Sequence, residues 1–132
     1  MIGTLNLGER VRFSNTHFRV DDLPKLLEGA TLGIIPNRRD AATRHMLPVK
    51  LLEYVYLGIP TVVPRLDAIQ HYFQDDMVGY YEPGQVDSLR RAMLDILTNP
   101  ERGAALARRA HSFTQQHAWD RMKLELFALV DA

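Results

Sequence analysis

The stretch "HMLPVKLLEYVYLGIPTVV", residues 45–63, decides the fold. Pro48 heads a helical pattern that reaches Leu57 and stops at Gly58. Proline suits the opening of a helix and glycine its exit. The break from Leu57 to Pro60 then delivers "PTVVP" (60–64), a β-branched run bracketed by prolines, which reads as a strand. Lys50 and Glu53 stand three apart in the opening turns of the helix, so they are neighbours on its surface. The ordinary account of such a pair is an exposed ion pair contributing ~0.3–0.5 kcal/mol.

The flanking sequence repeats the alternation of strand and helix. "RVRFSN" (10–15) alternates Val11 and Phe13 with polar neighbours and predicts a strand. "RVDDLPKLLEGA" predicts a helix capped by Asp21 or Asp22, with Pro24 in its first turn, Leu23, Leu26 and Leu27 as its buried stripe and Gly29 at its exit. "TLGIIPN" (31–37) reads as a strand stopped by Pro36, and the polar segment 38–45 as a loop. "LDAIQHYFQ" predicts a short helix capped by Asp67, and "MVGYYEPG" (77–84) a strand closed by a Pro-Gly turn, with one of Tyr80 and Tyr81 in the core. "QVDSLRRAMLDILTNP" is strongly periodic, with Val86, Leu89, Ala92, Met93, Ile96 and Leu97 on one face. A further helix begins with Asn99 as cap and Pro100 at its first position, and "AWDRMKLELFALVDA" predicts a last amphipathic helix. Tyr54 and Tyr56 are expected to pack under the sheet, and "ARRAH" (107–111) to lie at the surface away from any ligand.

Short apolar strands alternating with helices predict an α/β protein, a Rossmann-like doubly wound parallel sheet covered on both faces. One domain spanning 1–132 suits the length. In such sheets ligands sit beyond the carboxyl ends of the strands. That edge falls on residues 15–20, 37–47 and 64–68, and the helix carrying Lys50 and Glu53 begins there. A helix N-terminus offers free N–H groups and partial positive charge to a phosphate, and Lys50 adds a full charge. Glu53, one turn deeper, is suited to accept hydrogen bonds from a vicinal diol such as a ribose. Together these contacts describe a nucleoside diphosphate lying across the edge. Arg38, Arg39 and Arg44 flank it and have the bidentate geometry a diphosphate wants, although solvated loop arginines are the plainer account of at least two of them.

At this point the residues resemble the donor-binding, C-terminal half of a GT-B glycosyltransferase of family 4. The pattern P-x-K-x-x-E-Y…G-x-P-T-V-V is carried here by Pro48, Lys50, Glu53, Tyr54, Gly58, Pro60, Thr61, Val62 and Val63. Upstream, "LGERVRFSN…DDLPKLLEGATLGIIPN" is similar to the run that precedes this motif in the family. Downstream, "VGYYEPGQVDSLRRAMLDILTNPERGAALARRA" is similar to the run that follows it, and "FTQQHAWDRM" to its close, with Trp119 in place. The resemblance implies that Glu53 holds the ribose hydroxyls. It implies that the backbone of Leu47, Pro48 and Val49 faces the diphosphate with Lys50 beside it. The loop from Asn15 and Thr16 to Arg19 would border the base, and residues 38–45, including Arg38, would approach the donor sugar. Catalytic residues stay unassigned.

Two departures from the family pattern stand out. Many members carry another glutamate eight positions before the ribose glutamate; here that position is His45, available through either ring nitrogen. Complete enzymes also have an N-terminal acceptor domain, and neither it nor the first strand and helix of the donor half is recognisable. The expectation is therefore an incomplete half that transfers no sugar alone, with an uncovered sheet edge through which it could dimerise. The complete enzyme would move a hexose, with retention, from a nucleotide-diphosphate sugar to a glycan or lipid-linked acceptor in polysaccharide biosynthesis. It would need no cofactor beyond that donor substrate and no metal. Rival readings are a non-catalytic, partner-binding remnant and a GT-B sugar-nucleotide epimerase. A receiver-type domain is disfavoured because Asp21 and Asp22 fall inside a helix cap.

The composition agrees with this class. With 16 Lys+Arg against 16 Asp+Glu the chain has no long-range pull toward nucleic acid. It has no cysteine, which excludes disulfides, thiolate zinc and a cysteine nucleophile. The five histidines are scattered without paired spacing. No run approaches the roughly 20 apolar residues of a membrane span, and "MIGTLNLGERVRF" lacks a signal-peptide pattern. A cytoplasmic protein is expected, with the complete enzyme peripheral to the inner face of the membrane.

Overall fold

The computed structural model describes residues 4–131; the signal-peptide reading, which begins at residue 1, and both limits of the 1–132 domain lie partly outside them. The ordered elements are α1 (Leu23–Leu26), β1 (Gly33–Ile34), α2 (Val49–Tyr56), β2 (Thr61–Pro64), α3 (Asp67–Tyr72), β3 (Gly79–Tyr81), α4 (Val86–Leu97), α5 (Pro100–Gln116) and α6 (Trp119–Val130). Two 3-10 turns, Val20–Asp22 and Thr43–His45, complete them.

The β-branched run of residues 60–64 becomes the central strand. All four residues of β2 are buried, as a parallel strand covered on both faces requires. β1 pairs with it in the register Gly33↔Thr61 and Ile34↔Val62, and β3 in the register Val62↔Gly79, Val63↔Tyr80 and Pro64↔Tyr81, both parallel. The strand order is β1-β2-β3, so the far edge of β1 has no partner among the described residues.

Period-two alternation then divides the core. Val63 joins Ile35, Leu51, Val55, Leu66, Ile69, Phe73, Val78, Ala110 and Phe113 on the face covered by α2, α3 and the second half of α5. Val62 and Tyr81 turn to the other face, against Ile96 of α4 and Leu106 of α5. Tyr81 threads its hydroxyl to the Ile35 carbonyl at 3.0 Å, and Tyr80 donates to the Phe73 carbonyl at 2.8 Å. The buried Thr61 hydroxyl donates to the Ile59 carbonyl at 2.9 Å. The helix of residues 48–57 starts and stops where its punctuation predicts, and Gly58 leaves it at φ 70°, a left-handed conformation that glycine adopts without a Cβ penalty. Asn99 caps α5, its side chain accepting from the Arg102 amide at 3.2 Å.

Several expectations are corrected. Residues 10–15 form no strand: they are exposed, Phe13 by 79%, and pair with neither edge of the sheet. The helix expected from Asp21 or Asp22 to Gly29 is only one turn, α1, preceded by the 3-10 turn; Asp22 holds its cap position but makes no side-chain capping bond, and Asp21 faces Arg19 at 3.3 Å. Leu26 is exposed rather than part of the stripe. Asp67 does not cap α3; Leu66 holds the cap position and Asp67 lies inside the first turn. Tyr56 is 68% exposed, because two positions along a helix lead to the opposite side from Tyr54. Val86 and Leu97, at the two ends of α4, are exposed. None of the residues of α6 is buried.

Candidate functional site

Parallel strands aligned β1-β2-β3 bring the starts of α2, α3 and α4 to one rim, each helix following the carboxyl end of a strand. The rim loop of residues 38–48 is fixed from within. Asp40 accepts from the amides of Ala42 and Thr43 at 2.9 and 2.8 Å, and its own amide donates to the Thr43 hydroxyl at 3.1 Å. The Thr43 amide, with the Ala42 amide beside it, holds the Asp40 carboxyl below its ordinary value. The Thr43 hydroxyl also donates to the Arg38 carbonyl at 2.5 Å.

Two arginines strap this loop to the neighbouring strand end. Arg39 donates to the Arg65 carbonyl at 2.8 Å, and Arg44 Nε donates to Asp67 Oδ2 at 2.6 Å. Arg44 lowers the Asp67 carboxyl below its ordinary value, with smaller help from Arg39 and His45. Arg65, the first residue past β2, is the hub of the rim. It holds Asp75 through two bonds of 3.2 and 3.3 Å, faces Glu82 at 3.4 Å and sits 4.6 Å above the Tyr80 ring. Its guanidinium is held firmly protonated, chiefly by Asp75, and burial pushes the Tyr80 phenol upward. Sequence reasoning missed Arg65. Its only signal was its place at the end of the central strand.

The structure distributes the predicted site residues unevenly. Leu47 is half-buried against the core, Pro48 is buried at the cap position of α2, and Val49 and Lys50 are exposed at its start. Leu51 N–H returns to the Pro48 carbonyl at 3.0 Å, while the amides of Val49 and Lys50 carry no hydrogen bond among the described residues. Lys50 and Glu53 form no ion pair, so the ordinary account of their spacing does not apply. Glu53 is half-buried and its carboxylate has no hydrogen-bond partner among the described residues. It borders a narrow groove of about 120 Å³ with Val20, Leu23, Pro24, Tyr56 and Leu57. His45 ends the 3-10 turn, exposed, near Asp67. Arg38 lines a different crevice, about 430 Å³, between the end of β1 and the first turn of α4, with Asn37, Tyr81 and Gln85. Asn15 and Thr16 are exposed, and the Thr16 bonds are local, to Ser14; no described hydrogen bond joins them to α2.

Comparison with known proteins gives the class first. The chain superposes on sucrose-phosphate synthase from Thermosynechococcus elongatus with a TM-score of 0.85 at 18% identity, over 98% of this chain. The match takes in only 32% of that longer chain. At this identity the likeness is one of fold, and it makes the three-stranded domain a Rossmann-like portion of a GT-B architecture. A search of curated proteins found no match. The family model described as glycosyl transferase-like matches residues 6–127, and the chain belongs to that family. No helix among the described residues is long and apolar enough to cross a membrane.

Proposed function

We propose that this domain binds the donor, a nucleotide-diphosphate sugar, of a retaining hexosyltransferase. The observation that carries the reading is the combination at α2: two amides and a lysine at the rim, with the half-buried Glu53 one turn below, none of them bonded to another group among the described residues. Free amides and Lys50 suit a diphosphate and would stabilise it as the leaving group. An unpartnered carboxylate suits a ribose diol. In this reading His45 and Arg38, on the loop before α2, would approach the hexose, and residues 15–19 the base. Sugar transfer to a glycan or lipid-linked acceptor would then require an acceptor domain facing this rim, at the inner side of the membrane.

The experiment is a thermal-shift and calorimetric comparison of the chain with UDP-, GDP- and ADP-hexoses. One of them should raise the melting temperature, by the equivalent of about 2.7 kcal/mol at a hundredfold excess over Kd. Glu53→Ala should weaken that ligand by roughly 1.5–3 kcal/mol for each charged hydrogen bond lost. Unchanged affinity in Glu53→Ala would remove Glu53 from the site, and flat curves with every nucleotide would sink the reading. The exposed apolar α6 favours a second reading, a module that binds a partner chain. Self-association in light scattering together with flat nucleotide curves would support it instead.

A further inference from the structure

We propose that Arg44 is a phosphate-binding arginine of the donor site and that Asp67 positions it. The inference rests on the sugar-nucleotide reading above and adds to it a residue pair that joins two elements.

Position is the first argument. Thr43–His45 packs against α3 and leads directly to the start of α2. α2 and α3 cover the same sheet face, since Leu51 and Val55 share one core with Leu66 and Ile69. The Arg44–Asp67 pair therefore lies on the same side of the sheet as the free amides of Val49 and Lys50. Arg38 instead lines the crevice beside α4, whose core contacts are on the other face.

Geometry is the second. Arg44 meets Asp67 through Nε alone, at 2.6 Å. Its two Nη groups have no partner among the described residues, and the side chain is 56% exposed. A guanidinium held from its Nε side keeps a parallel fork of donors, the shape that grips a phosphate bidentately. Arg39, by contrast, already uses Nη2 on the Arg65 carbonyl.

Preorganisation is the third. The Arg44 amide donates to the Asp40 carbonyl at 3.1 Å, within the turn that the Asp40 carboxylate caps. Arg44 is thus fixed at both backbone and guanidinium, which reduces the ordering cost of binding. Asp67 makes no capping bond to its own helix, so its carboxylate is committed to Arg44. An exposed ion pair of this kind contributes little to stability, and its removal leaves a folded protein for the test.

The test uses the full chain with UDP, GDP and ADP, each beside its parent nucleoside. For whichever diphosphate binds, Arg44→Ala should raise Kd about tenfold to a hundredfold, the range of one or two charge-assisted hydrogen bonds. Binding of the nucleoside and the melting temperature should stay unchanged. Asp67→Asn should raise the diphosphate Kd by roughly threefold to tenfold, and should add nothing once Arg44 is alanine, the non-additivity expected of a residue acting through another. Arg44→Lys should recover only part of the affinity, since lysine keeps the charge without the fork. Wild-type binding with an unchanged Kd in Arg44→Ala overturns this inference and leaves the donor reading standing. Equal losses for nucleoside and diphosphate would make the pair merely structural. Absence of any diphosphate binding by the wild type overturns both.

Discussion

The ring of Tyr54 lies against Gly33 so closely that a β-carbon on residue 33 would fall 2.5 Å from its Cδ2 and 2.8 Å from its Cγ. This contact sets the distance between α2 and β1, and Tyr54 is the immediate neighbour of Glu53. Gly33→Ala should therefore destabilise the domain by about 1–3 kcal/mol, the range for overpacking a filled site. Urea unfolding measures it. The ring atoms in conflict are shared by phenylalanine, so Tyr54→Phe should give no relief, whereas Tyr54→Ala should absorb the new methyl group and make the double variant less destabilised than the sum. A Gly33→Ala protein as stable as the parent would show that α2 moves freely over β1, and the fixed placing of Glu53 would lose its basis.

What the sequence disclosed and what it concealed follow one physical division. The strands at 31–37, 60–64 and 77–84 were legible because proline and glycine punctuate β-branched or aromatic runs, and the Asn99-Pro100 start of α5 was legible because a cap is local. The alternation of Val11 and Phe13 misled, because alternation describes a strand's faces but not whether a neighbour exists to pair with it. Tyr56 misled by lying on the wrong side of its helix. At the rim, the punctuation around Pro48 located the start of α2. The Arg65 hub was invisible, since it joins residues 65, 75 and 82 from three different loops. So were the separate fates of Arg38, Arg39 and Arg44, which depend on partners as distant as Arg65 and Asp67.

Asp40 gives the rim loop a pH dependence of known sign. The amides of Thr43 and Ala42 favour its ionised form, so its folded value lies below the ordinary carboxylate value of about 3.9. A depressed acid contributes stability that is present above its unfolded value and lost as pH falls through the folded one. Asp67, held by Arg44, has the same sign. The loop should stay intact down to about pH 4 and loosen below it. An NMR titration following the Ala42 and Thr43 amides should give a midpoint under the ordinary value, and Asp40→Asn should abolish that transition. A midpoint at or above about 3.9 would contradict the capping geometry.

The last helix separates stability from association. α6 is apolar around most of its circumference, yet Trp119, Leu124, Phe127, Leu129 and Val130 are all exposed. A helix of that composition is normally covered on more than one side. Among the described residues nothing buries it, so it adds almost nothing to the core. Leu129→Glu should change the unfolding free energy by no more than about 0.5 kcal/mol, the range for surface substitutions. Phe113, one helix earlier, is buried and packs at 4.8 Å from Phe73 and 4.0 Å from His117, ring to ring. Phe113→Ala should cost about 3–5 kcal/mol. Both are read from urea midpoints at matched slopes. If Leu129→Glu lowered the midpoint as far as Phe113→Ala, α6 would be part of the folded core in solution, and its apolar faces would have an intramolecular cover.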